Sequence, residues 1–184
     1  IRKAFDELTR ETIAEAVLRR GGDLQAAAAL MGEMVALRGK ARLGEAAETT
    51  SFRINAGGRT GGVETPLLLN IVLQNALHSA VASWKRQGWG FRINASCLLN
   101  HLIWADNIFA FAANVAQLRD MCAEVTTAIH AARLRWKHSS LEILPGMSQG
   151  AGTPEIALGG VPGELYQFKV VDSMSVLGVR VDRT

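Results

Sequence analysis

The feature that most constrains the fold is a short apolar stretch in the middle of the chain, over residues 98–112. Two apolar arms flank the polar pair Asp106-Asn107. The arms contain Leu98, Leu99, Leu102, Ile103, Trp104 and Ala105 on one side and Ile108, Phe109, Ala110, Phe111 and Ala112 on the other. Two apolar segments around a two-residue polar tip predict a buried β-hairpin. Asn107, at the second tip position, tolerates the positive φ that a tight turn requires.

The carboxylate of Asp106 has two interpretations in such a hairpin. An unpaired charge at an apolar tip carries a large desolvation penalty, which a divalent cation would offset. Mg²⁺ prefers hard oxygen ligands, and it binds through one or two carboxylates together with waters and substrate phosphates. Pairs of such ions promote phosphoryl transfer by clamping the attacking and leaving oxygens. Alternatively, Asp106 is an ordinary turn residue that faces solvent, and the local pattern does not decide between the two.

The rest of the chain alternates helical patterns with short strand patterns. Helices are predicted over residues 7–20, 24–37, 66–87 and 115–132, with Asp6, Asp23, Thr65 and Asn114 as their N-caps. A hairpin is predicted over 40–56, and short strands over 141–144, 155–158, 165–171 and 175–181. This order predicts an α+β fold with an antiparallel sheet that helices cover on one face.

Composition excludes several classes of protein. The 184 residues correspond to roughly one domain with an appendage, and 48% of them are hydrophobic, which is enough for a packed core. No apolar run approaches the roughly 20 residues of a membrane span. Cys97 and Cys122 lie in apolar stretches, so we expect two buried thiols rather than a disulfide or a zinc site. Because residue 1 is Ile, we expect a piece of a longer chain, truncated at its N-terminus.

Positive charge is distributed in clusters, although the net charge is only +3. No acidic residue lies between Glu64 and Asp106, a segment that contains Lys85, Arg86 and Arg92. Further basic stretches contain Arg38, Lys40, Arg42, Arg53 and Arg59, and then Arg133, Arg135, Lys137 and His138. Such clusters suit a phosphate backbone, but charge alone favours ordinary solvated surface. Near these cations, Trp84, Trp89 and Trp136 either stack on bases or pack in the core.

Five segments resemble motifs of one enzyme family, and they occur in the family's order. Residues 3–6 resemble its "KAFD" motif, residues 59–70 its "RQGxxxSPxLFN" motif and residues 104–107 its "YADD" box. Residues 134–142 are similar to "GLxxNxxKTE", and residues 176–179 to "YLG". The family is the reverse transcriptases of LINE-type (non-LTR) retrotransposons.

The resemblance implies a polymerase palm that adds dNTPs to a DNA primer on an RNA template, with Mg²⁺ or Mn²⁺ as cofactor. By position in the motifs, Asp106 would be a catalytic, metal-binding aspartate, and Asn107 a second, uncharged ligand. Phe5 would lie under the sugar, where an aromatic ring clashes with a 2′-hydroxyl and so selects dNTPs over rNTPs. The alternative for Phe5 is a place in the core.

The same resemblance assigns further residues to the nucleotide and the template. Arg59, Thr60 and Gly61 would lie at both, with Gly61 letting the backbone approach closely. Asn70 would face the nucleotide pocket, and Lys137 would lie near the bound nucleotide. The alternative for residues 59–61 is a flexible surface loop. The alternative for Asn70 is an ordinary polar residue near the start of a helix.

Departures from the family pattern put catalysis in doubt. The family's first catalytic aspartate falls at the position immediately before Ile1, and Asp6 is expected to cap a helix rather than to replace it. Asn107 stands in place of a second aspartate, Thr60 in place of Gln, and Ser140 in place of Lys. We therefore expect the chain alone to be inactive, so whether it is an enzyme stays open. A degenerate, non-catalytic nucleic-acid-binding palm and an unrelated α+β binding domain are the alternatives.

The resemblance also predicts the organisation and the partners of the chain. Residues 1–145 would form the palm with part of the fingers, and residues 146–184 the end of the palm toward the thumb. The partners would be an RNA template, a DNA primer, dNTPs and the rest of a polyprotein, with no membrane. A nuclear location follows from the resemblance only.

Overall fold

The chain forms two compact units, which we describe from a computed structural model. The structure describes residues 1–44, 47–54, 56–57, 62, 64–146, 157–159 and 165–183. Residues 3–75 make up the N-terminal unit, and residues 1–2 together with 76–184 make up the C-terminal unit.

Helices and small sheets together confirm the predicted α+β class. The helices are α1 (Ala4–Glu7), α2 (Arg10–Arg19), α3 (Leu24–Ala36), α4 (Glu64–Gln87) and α5 (Val115–Ala131), with one 3₁₀ turn at His138–Ser140. All strands of the described residues pair as two-stranded sheets, and none of these sheets is closed. Within the same residues, no helix has the length and hydropathy that crossing a bilayer requires.

The N-terminal unit combines α1, α2, α3 and the first half of α4 with two small sheets. Its strands are β1 (Arg38–Gly39), β2 (Arg42–Leu43), β3 (Ala47–Glu48) and β4 (Phe52–Arg53). Antiparallel pairing of β2 with β3 and of β1 with β4 confirms the hairpin that was predicted over residues 40–56. Its buried apolar side chains are Ala4, Leu8, Ile13, Ala16, Ala27, Met34, Leu68, Leu69, Val72 and Leu73.

The predicted start of the first long helix is wrong. Leu8 is extended, with φ −59° and ψ 121°, and its side chain is 1% exposed. Because this buried residue interrupts the helix, Asp6 lies inside the short α1 and does not cap α2. Thr9 caps α2 instead, since its side chain accepts a hydrogen bond from the backbone N–H of Thr12.

Two of the other predicted caps are confirmed. The Asp23 side chain accepts from the Gln25 N–H at the start of α3, and Asn114 accepts from the Gln117 N–H at the start of α5. Thr65, in contrast, lies inside the first turn of α4, because that helix begins at Glu64. Caps of this kind depend on atoms two or three residues apart, so local sequence suffices to find most of them.

The described residues of the C-terminal unit include ten short strands. They are β5 (Phe91–Arg92), β6 (Leu98–Leu99), β7 (His101–Trp104), β8 (Asn107–Ala110), β9 (Glu142–Ile143), β10 (Ala157–Gly159), β11 (Leu165–Gln167), β12 (Lys169–Val170), β13 (Ser173–Val176) and β14 (Val179–Asp182). The pairs β5–β6, β7–β8, β10–β11 and β13–β14 are antiparallel, whereas β9 and β12 are parallel. The predicted strand over 175–181 is instead a hairpin, because Leu177 and Gly178 turn the chain with φ values of 52° and 80°.

Helix α5 supplies much of the core of this unit. Its predicted apolar stripe is confirmed at Cys122, Val125 and Ile129, which are all buried. Other buried side chains are Leu77, Trp84, Met121, Leu134, Trp136, Leu141, Ile143 and Tyr166. The expectation for Cys97 is wrong: it lies in the exposed connection between β5 and β6.

Two leucines on α4 provide a matched test of the core. Leu69 is 0% exposed, whereas Leu67 is 61% exposed. We expect Leu69→Ala to lower the free energy of unfolding by about 2–5 kcal/mol, because it leaves a cavity. Leu67→Ala should change it by less than about 0.5 kcal/mol. Urea unfolding followed by circular dichroism measures both, and equal losses would contradict the assigned helix face.

Candidate functional site

The hairpin that carries Asp106 forms as predicted, but its turn lies one residue earlier. Leu102 pairs with Phe109 and Ile103 with Ile108, so Trp104 and Asn107 close the ladder. The turn is therefore made by Ala105 and Asp106, with φ 51° at Ala105. Asn107, predicted at the tip, is the first residue of β8.

The hairpin is half-buried rather than buried. Trp104 is 61% exposed, and the Asp106 side chain is 38% exposed. The desolvation cost of the Asp106 carboxylate is accordingly smaller than the sequence implied, because solvent reaches it. A cation is thus not required merely to keep this charge at the tip.

The first residues of the chain lie against this tip. The Ile1 nitrogen donates to the backbone oxygen of Asp106 at 3.1 Å and lies 3.9 Å from its carboxylate oxygen Oδ2. The next residue is also held, since the Arg2 N–H donates to the carbonyl of Arg135 at 2.9 Å. Two hydrogen bonds thus hold the first residues of the chain beside the tip.

A cavity of about 900 Å³ opens beside the tip, within the C-terminal unit. Its polar lining includes Asp106, Asn107, Lys137, Ser140 and Glu142. The turn at residues 177–178 also lines it, and apolar side chains from α5, β8 and β9 complete the wall. Three of the five motifs noticed in the sequence thus border one cavity. Glu142 was not singled out from the sequence, although it ends the fourth motif.

Phe5 and Asn70 are not among the residues that line this cavity. Phe5 is half-buried in α1, and Asn70 lies on α4; both belong to the N-terminal unit. The Asn70 side chain accepts a hydrogen bond from Gln74 Nε2 at 2.8 Å, so it is held by its own helix. Arg59, Thr60 and Gly61 lie outside the described residues.

Gly57, which precedes residues 59–61 in the sequence, approaches Phe5. The Gly57 N–H donates to the carbonyl of Leu8 at 2.8 Å. A Cβ at Gly57 would lie 2.9 Å from the backbone oxygen of Phe5, and φ at Gly57 is +85°. Only glycine therefore fits this close approach without strain.

The residues at the tip do not by themselves make a divalent-cation site. Asp106 offers one carboxylate, Asn107 offers an uncharged amide oxygen, and Lys137 adds an opposing positive charge on the cavity wall. In the described part of the chain, no group of three or more His, Cys, Asp or Glu side chains is placed to hold a metal ion. A bound Mg²⁺ would need a further carboxylate or substrate phosphates.

Two of the tryptophans considered for base stacking belong to the core. Trp84 is 0% exposed, and its Nε1 donates to Glu124 Oε2 at 2.9 Å. Trp136 is 9% exposed and donates to Thr126 Oγ1 at 2.9 Å. Both side chains are buried, so the core alternative holds for both.

No protein-family model matches the chain, and no curated protein sequence is similar to it. Function is therefore inferred from the motifs and from the geometry of the site.

The two cysteines should differ sharply in reactivity. Cys122 lines the cavity wall, and burial raises its thiol pKa to about 12, whereas Cys97 is exposed. Since the thiolate is the reactive form, we expect a disulfide reagent at pH 8 to modify Cys97 rapidly and Cys122 only after unfolding. Counting modified thiols in native protein and in urea tests this. Native Cys97→Ser protein that reacts as fast as the unsubstituted chain would contradict the burial of Cys122.

Proposed function

We propose that the chain is part of the palm of a LINE-type RNA-directed DNA polymerase, and that it contributes Asp106 to the catalytic carboxylates. Five motifs in the family's order support this proposal. The cavity adds support, because Asp106, Lys137 and the turn at residues 177–178 come from three separate motifs and line the same space. The antiparallel hairpins β7–β8 and β13–β14 are also compatible with a palm sheet.

The observation that carries the proposal is the contact between Ile1 and Asp106. The resemblance places the family's first catalytic aspartate immediately before Ile1. Because the Ile1 nitrogen is 3.1 Å from the Asp106 carbonyl oxygen, a residue bonded to that nitrogen would lie next to Asp106. An aspartate there would supply the second carboxylate that the tip lacks.

The chain's own residues would then act mainly by position and charge. In this family, two divalent ions clamp the attacking and leaving oxygens of the reaction. Asp106 would hold negative charge at the mouth of the cavity, and Lys137 would neutralise charge on a bound phosphate. The nucleotide and template roles of Phe5, Arg59, Thr60, Gly61 and Asn70 remain part of the proposal.

A second candidate, a degenerate palm that binds nucleic acid without catalysis, is favoured by two residues. Asn107 replaces a carboxylate beside Asp106, and Ser140 replaces a lysine; both line the cavity. Each substitution removes a charge that the family's chemistry uses. Binding would survive these losses, because it depends on basic side chains that contact phosphates rather than on the charge at the tip.

Primer extension separates the two candidates. The tested protein should include the residues encoded before Ile1, of which we expect the last to be aspartate. With Mg²⁺, an RNA template and a DNA primer, we expect extension that Asp106→Ala lowers at least about a hundredfold, because it removes charge stabilisation in the transition state. The matched control is Asp120→Ala, which removes an exposed carboxylate outside the cavity lining.

The outcomes are distinct. Loss of extension with Asp106→Ala but not with Asp120→Ala supports the polymerase. Equal activity of both variants would contradict the role of Asp106. Salt-dependent RNA binding without any extension would favour the degenerate palm, and a residue other than aspartate before Ile1 would favour it further.

A further inference from the structure

The C-terminal unit carries a basic surface away from the tip of the β7–β8 hairpin. It is formed by the last turn of α4 and the β5–β6 hairpin, which three residues connect. We call the exposed side chains of Lys85, Arg86, Phe91, Arg92 and Ile93 the basic hairpin surface. None of these five residues lines the cavity beside Asp106.

Within the described part of the chain, the cations of this surface have no ion-pair partner. Among the ion pairs of the described residues, none involves Lys85, Arg86 or Arg92. Other exposed cations of the chain do have partners: Arg42 lies 3.4 Å from Glu48, and Arg180 lies 2.7 Å from Asp182. No acidic residue occurs from residue 65 to residue 105, so none is close to these cations along the chain.

The field of Lys85 extends into the protein. His101, at the start of β7, has a lowered pKa, chiefly because of burial and further because of Lys85. Because no ion pair of the described residues involves Lys85, Arg86 or Arg92, this surface has a positive potential that favours an anionic ligand.

Apolar side chains are exposed beside these cations. Phe91 and Ile93 are each 56% exposed. Phe91 and Arg92 are neighbours in β5 and therefore point to opposite sides of the strand, whereas Ile93 lies just after it. Arg92 Nη1 donates to the Ala95 carbonyl at 3.3 Å, which holds its guanidinium against the hairpin.

The hairpin is preformed rather than loose. At its tip, Asn94 Oδ1 accepts from the N–H groups of Ser96 at 2.9 Å and Cys97 at 2.8 Å. At its base, the Gly90 N–H donates to Gln117 Oε1 of α5 at 3.3 Å. A Cβ at Gly90 would lie 2.7 Å from the Leu99 carbonyl oxygen, so the two strands approach closely there. A ligand would therefore meet a surface that is already ordered.

We propose that the basic hairpin surface binds single-stranded nucleic acid. Lys85 and Arg86 contact phosphates of the strand, and a base stacks on the ring of Phe91. Unpaired cations beside an exposed aromatic ring are the combination that such binding uses. The choice of nucleic acid over other polyanions rests on the proposed function. A single strand is preferred to a duplex, because its base faces are free to stack.

Fluorescence anisotropy with a fluorescein-labelled 12-nucleotide oligo(U) tests the proposal on the 184-residue chain. Lys85→Ala/Arg86→Ala should reduce the magnitude of the slope of log affinity against log salt by about 1.4, and should weaken binding roughly 25-fold at 0.1 M salt. Phe91→Ala should weaken binding by about five- to a hundredfold with little change in that slope, because it removes stacking rather than charge.

Matched controls remove the same groups elsewhere. Arg19→Ala/Arg42→Ala also removes two exposed cations, but both are paired with glutamates. Phe52→Ala removes another exposed ring, one that is 49% exposed in the N-terminal unit. We expect both controls to bind within about twofold of the unsubstituted chain, allowing for the small effects typical of exposed sites. Circular dichroism verifies that each variant is folded.

Several results would overturn the proposal. The first is undetectable oligo(U) binding at 50 mM salt. The second is a loss of affinity in the control variants as large as that in the test variants. The third is an affinity for a 12-base-pair duplex equal to that for oligo(U). The assay is independent of catalysis. Binding that depends on Lys85, Arg86 and Phe91 without primer extension supports this surface while contradicting the polymerase. Primer extension together with unchanged oligo(U) affinity of the Lys85→Ala/Arg86→Ala and Phe91→Ala variants would contradict the binding role of this surface but not the polymerase.

Discussion

The pairing of two apolar strands around one turn organises the candidate site. Ile103 opposes Ile108 and Leu102 opposes Phe109, so Trp104 and Asn107 must close the ladder. This register leaves Ala105 and Asp106 as the turn, with the left-handed backbone at Ala105. A shift of one residue would exchange the two faces of each strand. The position of Asp106 beside Ile1 therefore follows from the pairing of its apolar neighbours rather than from its own chemistry.

Segments that are distant in the sequence reach the cavity through short local strand pairings. Cys122 and Val125 of α5 form part of the wall, and β8 contacts the same helix. The parallel pairing of β9 with β12 places Glu142 opposite Lys169, and the following β13–β14 hairpin brings its turn to the cavity. This arrangement explains how short motifs spread along the chain come to border one space. It also leaves the tip with one carboxylate and a nearby cation.

Local signals predicted elements well wherever partners lie within a few residues. The caps Asp23 and Asn114 bond to backbone groups two and three residues away, and both were predicted. Asp6 failed as a cap, because the core contact of Leu8 breaks the helix after it. Likewise Leu177 and Gly178 turn a predicted strand into a hairpin. Long-range packing overrode local preference in the first case, and an unrecognised turn did so in the second.

Sequence pattern was sufficient for the α+β class, for α5 with its apolar stripe, and for a hairpin that carries Asp106, because periodicity and turn chemistry act over a few residues. It did not distinguish exposed Cys97 from buried Cys122. It also did not decide whether Trp84 and Trp136 stack on bases or pack in the core, where the structure places both. Those properties depend on which distant segment covers a side chain. Solvent access to Asp106 and the open charge around Lys85 were likewise decided by the tertiary structure, since burial and ion pairing require partners that only folding brings near.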